Sequence, residues 1–551
     1  MMSSFSFRPR LVDSLRGYRR EDLVADCSAG LTVGVVALPL AMAFGIASGV
    51  TPQQGIITAI IAGFLISALG GSKVQIGGPA GAFVALLYGI VESYGVANLL
   101  IATMLSGIGL FAIGALRLGT LIRYIPVSIV IGFTNGIAVI ILFQQLKDFL
   151  GLSIPKMPAN FISQLGTIGN HLHTINPTAL ALAIAALVTV VAWPKSYKEN
   201  DSRARRWMAR VPGTILVLIA GTLIVKLGGL QVETIGSRFG GIPSGLPAPT
   251  LPDFDWNQAR NLVGPVISIT LLCAIESLLC ARVADGITRD RHDPNQELMA
   301  QGVANFVTPM FGGIAATGTI ARTVTNIRTG ARSPIAGIVH SLTLLATVLV
   351  LAPLAHDVPL SVLAAILVFV AWNMGDWRAF GRLRQFTINY RAILLATFAL
   401  TVIFDVTVGV EVGLLLASAL FIVRVASVTR VDVLNPDGCP PNTQAYRLFG
   451  SLFFGSITKL ERLTDAAQRG AGNLVLEMHQ AINLDTTGLD CLEEVLRLVH
   501  ERGGRLLIVA ANQQPLSLMR RSGFAQNLGE ENLFADLGSA LASIEQNRPI
   551  A

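Results

Sequence analysis

Apolar residues run in helix-length stretches along most of this chain, and the residues that interrupt them carry as much information as the stretches. Between Cys27 and Ser72 no residue is charged, which is room for two helices at about 20 residues per bilayer crossing. The same pattern predicts spans near 24–47, 53–70, 74–91, 96–116, 124–146, 178–193, 211–228, 262–282, 297–312, 317–328, 334–353, 358–374, 390–404 and 407–425. The tenth of these fourteen runs is too short to cross alone. Past Val425 the pattern changes. Residues 446–454, 474–478 and 506–510 read as strands, 458–469 and 485–502 as helices, with two further helices after them. That alternation predicts a small α/β domain with a mainly parallel sheet, set off by the turn-forming NPDGCPP at 435–441.

Charge in the connections orients the spans. Basic clusters follow span six (Lys195, Lys198, Arg203, Arg205, Arg206, Arg210), span eight (Arg282, Arg289, Arg291) and span twelve (Arg378, Arg382, Arg384, Arg391). The connections at 147–177 and 229–261 are long, rich in Pro and Gly, and poor in Lys and Arg. Cytoplasmic loops collect Lys and Arg, so the even-numbered exits face the cytoplasm and both termini lie there. Met1 to Asp22 reads as a basic, amphipathic lead-in.

Fourteen spans divide as seven and seven, and spans three and ten then correspond. Both are interrupted by glycine, GGPAGAF at 77–83 and ATGTIAR at 316–322. Backbone at membrane depth must satisfy itself unless it lines a cavity or is buried in protein. Matching interrupted helices in two halves point to a solute site between inverted repeats. A half-helix beginning near Gly318 and Thr319 aims free N–H groups and a positive dipole end at that site. Arg322, on its first turn, adds a full charge. The preferred occupant is an anion.

Composition agrees: 52% of residues are hydrophobic and 14% charged, with a mean hydropathy of +0.61, as in an integral membrane protein. The net charge of +7 sits in short loop clusters and is not a nucleic-acid footprint. Five cysteines without a CxxC pair suggest neither disulfides nor zinc, and Cys273 and Cys280 share one helix face. No nucleophile constellation or P-loop is present, so the sequence supports neither an enzyme nor an ATP-driven pump. No cofactor or metal is expected.

Four stretches resemble one family: GLTVGVVALPLAMAFGIASG at 30–49, GGSKVQIGGPAGAFV at 70–84, AIESLLCARVADGITRDRHDPNQELMAQGVANF at 274–306, and GGIAATGTIARTVTNIRTGARSPIAG at 312–337. With the tail, they look like the sulfate permease (SulP) family, bacterial relatives of the solute-carrier-26 anion transporters, which carry a C-terminal STAS domain. The resemblance implies an α-helical membrane protein with 14 spans in two inverted seven-helix repeats, a uracil-permease-like fold. A mobile core (spans 1–4 and 8–11) would move against a gate (spans 5–7 and 12–14) in elevator-like alternating access. It divides the chain into a cytoplasmic segment 1–22, a transporter domain 23–428, a linker 429–441 and a STAS domain 442–551. Carried over, the pocket comprises Leu40, Phe44, Gly78, Pro79, Ala80, Gly318, Thr319, Ile320 and Arg322. Leu40 departs from the polar residue common there. The resemblance further implies a homodimer in the bacterial inner membrane, and the TGTIARTVTNIRTGARSP wording is similar to the branch that moves C4-dicarboxylates such as fumarate and succinate.

Glu276 stands in an otherwise apolar run, 267–280, where a carboxylate costs about 3 kcal/mol. An apolar setting favours the neutral acid and a nearby Arg322 favours the carboxylate, so Glu276 is the candidate proton carrier in symport. A purely structural Glu276–Arg322 pair is the bland alternative. Sodium-coupled relatives often carry Asp and then Thr four residues later; Glu276 and Cys280 stand here, and Cys is a poor ligand for a hard cation. His340 reads as packed, Asp405 and Glu411 as solvated residues bracketing a turn, and Asp285 and Asn305 as caps. In the tail, Asp485 reads as a helix N-cap and Thr486 as a possible regulatory phosphosite on a domain that could bind a cytoplasmic protein. The leading expectation is a secondary anion transporter. Rivals are an exchanger or channel-like conductor, a nucleobase carrier, and a membrane-anchored regulator.

Overall fold

In the computed structural model, residues 7–120, 125–155, 157–158, 160–194, 212–241, 245–252, 260–404, 406–436, 439–469 and 472–546 are described. The predicted apolar runs fold as helices: α1 (Arg20–Ala47), α2 (Pro52–Leu69), α3 (Val84–Ala115), α4 (Val127–Leu150), α5 (Pro177–Ala192), α6 (Gly213–Gly228), α7 (Val263–Thr288), α8 (Pro294–Val307), α9 (Ile320–Arg328), α10 (Ile335–Leu351), α11 (Leu360–Met374), α12 (Ile388–Ile403) and α13 (Val406–Val428). Among the described residues six helices are by themselves long and apolar enough to cross a bilayer, and four more are apolar but shorter. The runs predicted at 74–91 and 96–116 share α3, which is broken at Gly95 by a φ of 82°.

Local signals explain the boundaries. Thr51 caps α2 and accepts from Gln54 N–H, with Pro52 at the first helical position. Asp293 does the same for α8, accepting from Asn295 and Gln296 N–H ahead of Pro294, so this helix starts three residues earlier than its apolar run. Residues 74–80 depart from expectation. They are uncharged and mostly apolar, Gln75 excepted, yet they form non-helical backbone containing β1 (Gly77–Gly78), and helix resumes only through the tight turn Gly81–Phe83. The partner strand is β2 (Thr317–Gly318), immediately before α9. The N-terminal lead-in is tied down by Arg10, which shares Asp290 with Lys73 at 3.1 and 3.0 Å.

The chain separates into two compact units, Met1–Leu414 and Leu415–Ala551. The second contains β3 (Arg430–Leu434), β4 (Thr443–Leu452), α14 (Ile457–Arg469), β5 (Asn473–Leu484), α15 (Thr486–Glu501), β6 (Leu506–Val509), α16 (Gln513–Arg521), α17 (Phe524–Leu528), β7 (Leu533–Phe534) and α18 (Leu537–Gln546). Its sheet runs in chain order, with β3 antiparallel to β4 and every later pair parallel. Alternate residues of β5 face opposite ways: Leu474, Leu476 and Met478 pack against α14 and α15 residues such as Leu463 and Leu492, and Val475 joins Leu541 and Ile544 of α18. The basic cluster at Lys195, Lys198, Arg203, Arg205, Arg206 and Arg210, and also Asp405, lie outside the described residues.

Candidate anion site

Two stretches of non-helical backbone, before α3 and before α9, lie against each other in the interior of the first unit. A buried peptide group without a partner costs about 1–3 kcal/mol, so each stretch needs donors and acceptors from elsewhere. Asn305 supplies both to Ala316: its Oδ1 accepts from the N–H at 2.8 Å and its Nδ2 donates to the carbonyl at 2.9 Å. Thr58 Oγ1 accepts from Ile314 N–H at 2.8 Å, and Thr317 Oγ1 donates to the Cys273 carbonyl at 3.1 Å. On the other stretch, Thr323 Oγ1 accepts from Ile76 N–H at 3.0 Å and Asn326 Nδ2 donates to the Val74 carbonyl at 2.9 Å. Thr319 then joins the two, its N–H and hydroxyl both donating to the Ile76 carbonyl.

The join is a short antiparallel bridge, Gly77 opposite Gly318 and Gly78 opposite Thr317. A helix begins two or three residues beyond each strand, so both run away from the bridge and turn their N-terminal ends toward it. Neither the turn that leads into α3 nor α9 carries a side-chain cap, which leaves first-turn N–H groups open to a ligand. Arg322, on the first turn of α9, is only 3% exposed. Its Nη2 donates to the Pro79 carbonyl at 3.3 Å, whereas its Nη1 is buried with no partner among the described residues. That nitrogen lies over Gly78, where a Cβ would come within 2.5 Å of it. Two uncapped helix starts and one unsatisfied guanidinium nitrogen form a positive cradle.

The structure brings Gly78, Pro79, Ala80, Gly318, Thr319, Ile320 and Arg322 to this bridge. Phe44 of α1 reaches the same place: a Cβ on Gly81 would lie 3.3 Å from its ring, 3.4 Å from Met374 Sδ and 3.5 Å from Ile141 Cδ1. Leu40 is buried one turn earlier on α1. Glu276 is buried on α7, 8% exposed, but is not within ion-pair distance of Arg322. The structural Glu276–Arg322 ion pair of the alternative reading is not formed, since the guanidinium turns to the Pro79 carbonyl. Cys280 Sγ donates to Thr323 Oγ1 at 3.3 Å and Cys273 Sγ to the Ala316 carbonyl at 3.4 Å, so both thiols brace the break before α9.

Asn305 is not a cap but the clamp on Ala316. Asp285 does order a turn, accepting from the His292 backbone and lying 2.7 Å from its Nδ1. His340 is fully buried. Asp485 caps α15 as expected, accepting from Gly488 N–H at 2.8 Å, and also from Phe454 N–H; Thr486 is exposed beside it. Sequence reasoning missed Ile141, Met374, Thr323, Asn326 and the fully buried acids Asp26 and Glu297. Polar neighbours mask both acids in the sequence, Arg20, Glu21 and Asp22 before Asp26 and Asn295, Gln296 and Gln301 around Glu297.

Comparison with known proteins fits this architecture. The chain matches the sulfate permease family over residues 23–397 and the STAS domain over 438–540. It is 40% identical to YvdB, a sulfate-transporter homologue of Bacillus subtilis, over 95% of this chain and 98% of that protein. It is 29% identical to the bicarbonate transporter BicA of Synechocystis sp. over 94% of each. Among solved structures, the transmembrane domain of a cyanobacterial BicA matches with a TM-score of 0.64 at 32% identity, covering 71% of this chain and 98% of that one. The murine Slc26a9 anion transporter in its inward-facing state matches with a TM-score of 0.85 at 18% identity, over 99% and 96% of the two chains, a likeness of fold. The architecture is a helical membrane fold followed by a C-terminal STAS domain.

Proposed function

We propose that this chain, which belongs to the sulfate permease family, binds its solute between the N-terminal ends of α3 and α9 and carries it by proton-coupled symport. As a member of that family it is a multi-pass anion transporter and not an enzyme. The finer reading rests above all on Arg322, whose buried Nη1 has no partner among the described residues, beside two uncapped helix starts. An anion would complete that hydrogen bond and gain from both dipoles. The proposed pocket is Leu40, Phe44, Gly78, Pro79, Ala80, Gly318, Thr319, Ile320 and Arg322. Glu276, buried without a cationic partner among the described residues, is the proposed proton carrier.

A C4-dicarboxylate such as fumarate or succinate is the proposed substrate, with sulfate next. Bicarbonate is the second reading, favoured by the similarity to BicA. Against sodium coupling, the Cys280 thiol is engaged with Thr323 and is a soft group for a hard cation. Exchange against a counter-anion is the alternative to symport. Movement is proposed as elevator-like, the core of spans 1–4 and 8–11 carrying the site past the gate of spans 5–7 and 12–14. The transporter domain is assigned to 23–428 and the STAS domain to 442–551, in a homodimer in the bacterial inner membrane with both termini cytoplasmic. Thr486, exposed at a helix start, is the proposed regulatory phosphosite, on a domain proposed to bind a cytoplasmic partner.

Uptake of radiolabelled fumarate, sulfate and bicarbonate into proteoliposomes tests this, with and without an inward proton gradient, a sodium gradient or trapped counter-anion. Accumulation driven by the proton gradient is expected. Uptake that follows only sodium or counter-anion would overturn the coupling.

A further inference from the structure

Glu297 of α8 is fully buried, yet it is not among the residues at the bridge. Its two oxygens accept four hydrogen bonds, all from neutral donors. Gly71 and Ser72 N–H reach Oε2 at 2.9 and 3.3 Å, and Gln301 Nε2 and Ser277 Oγ reach Oε1 at 3.0 and 3.2 Å. Among the described residues no Lys, Arg or His lies within ion-pair distance of it. Four donors on two oxygens is the environment of an acceptor-only carboxylate.

A serine hydroxyl has a single hydrogen to give. Ser277 gives its own to Glu297, so toward its other neighbour it can only accept. That neighbour is Gln75, whose Nε2 donates to Ser277 Oγ at 2.9 Å. The sense of the Gln75 amide is therefore dictated from Glu297: nitrogen toward Ser277, carbonyl oxygen turned away and buried without a partner among the described residues. The amide lies directly against Gly318, where an added Cβ would come within 1.8 Å of Nε2. Gly318 is half of the bridge, one residue before the Thr319 that opens α9.

We infer that Glu297 and Ser277 are positioning residues for the anion site, acting through Gln75 on the backbone at Gly318. A carboxylate on one helix, a hydroxyl on a second and an amide in the first break form a chain with one polarity, and its end sets where α9 begins. This rests on the proposed anion site between α3 and α9. It adds residues that touch no solute but fix the geometry of those that do, where small displacements cost much affinity.

Ser277→Ala removes the middle of the chain and leaves Glu297 three of its four donors. The half-saturating concentration for proteoliposome uptake of radiolabelled sulfate, fumarate and bicarbonate, measured in parallel, is expected to rise about tenfold. Ser277→Thr, which keeps a hydroxyl, restores it. Gln75→Leu has a similar effect, and adding Ser277→Ala to Gln75→Leu makes it no worse, because the chain is already cut. A general packing defect would instead add in the double variant and would not be rescued by threonine. Additive effects, or a Ser277→Ala value within about twofold of the unsubstituted protein, overturn the inference. Arg322→Ala separates the two layers: loss of affinity there but not in Ser277→Ala overturns the relay alone, whereas loss in Ser277→Ala but not in Arg322→Ala overturns the anion site itself.

Discussion

Asn305 offers the most quantitative test of how the broken backbone is held. Its side chain satisfies both the N–H and the carbonyl of Ala316 at 2.8 and 2.9 Å, and Ala316 is fully buried just before the bridge. Asn305→Ala takes the acceptor from the Ala316 N–H and leaves its carbonyl only the Cys273 thiol at 3.4 Å. A buried, unsatisfied N–H costs about 1–3 kcal/mol, so the variant should lose roughly 1–3 kcal/mol of stability, less whatever a water entering the gap recovers. Asn305→Asp should be at least as unstable as Asn305→Ala, because its carboxylate still accepts from the N–H but sets a buried, unpaired charge against the carbonyls of Ala316 and Gln301. Thermal unfolding of the purified protein in detergent, followed by intrinsic fluorescence, ranks the three forms. Uptake measured below the melting temperature shows whether the break has shifted, and affinity should fall in the same order. An Asn305→Ala protein as stable as the unsubstituted one, with unchanged affinity, would show that Ala316 finds other partners and refute the reasoning.

Three further outcomes follow from the same geometry. Gly318→Ala places a methyl 1.8 Å from Gln75 Nε2, and overpacking of about 1–3 kcal/mol should abolish measurable uptake while Ser427→Ala, in the second unit, leaves it unchanged. Glu276→Gln should retain anion binding but lose the dependence of uptake on a proton gradient; proton dependence equal to that of the unsubstituted protein would remove Glu276 from the coupling. Asp485→Ala removes an N-cap that also accepts from Phe454 N–H, so the second unit should lose about 1–2 kcal/mol, read by urea unfolding of the full-length protein.

Hydropathy located nearly every helix, because a charge-free run of bilayer length has few other uses. It misplaced the start of the third span because the uncharged residues 74–80 look the same to a hydropathy count whether helical or extended. Glycine and threonine at 77–81 and 317–319 were the legible trace of the breaks, and Arg322 the legible trace of charge. What fastens them was not legible. Thr323 meets Ile76 across 247 positions and Asn326 meets Val74 across 252, and no spacing rule reaches that far. The alternative of a Glu276–Arg322 pair fell for a related reason: sequence supplies two opposite charges but not the Pro79 carbonyl that claims the guanidinium. Asn305 looked like a cap because a polar residue near a helix end usually is one.

The central claim is that an anion completes the hydrogen bonding of Arg322 between two helix starts. Titrating purified protein with sulfate, fumarate and bicarbonate by calorimetry, for the unsubstituted chain, Arg322→Lys and Arg322→Ala, tests it directly. Loss of a charge-assisted hydrogen bond worth about 1.5–3 kcal/mol predicts affinity for the bound anion about 10- to 150-fold weaker in Arg322→Ala, with Arg322→Lys between. Equal affinity in all three would contradict the claim.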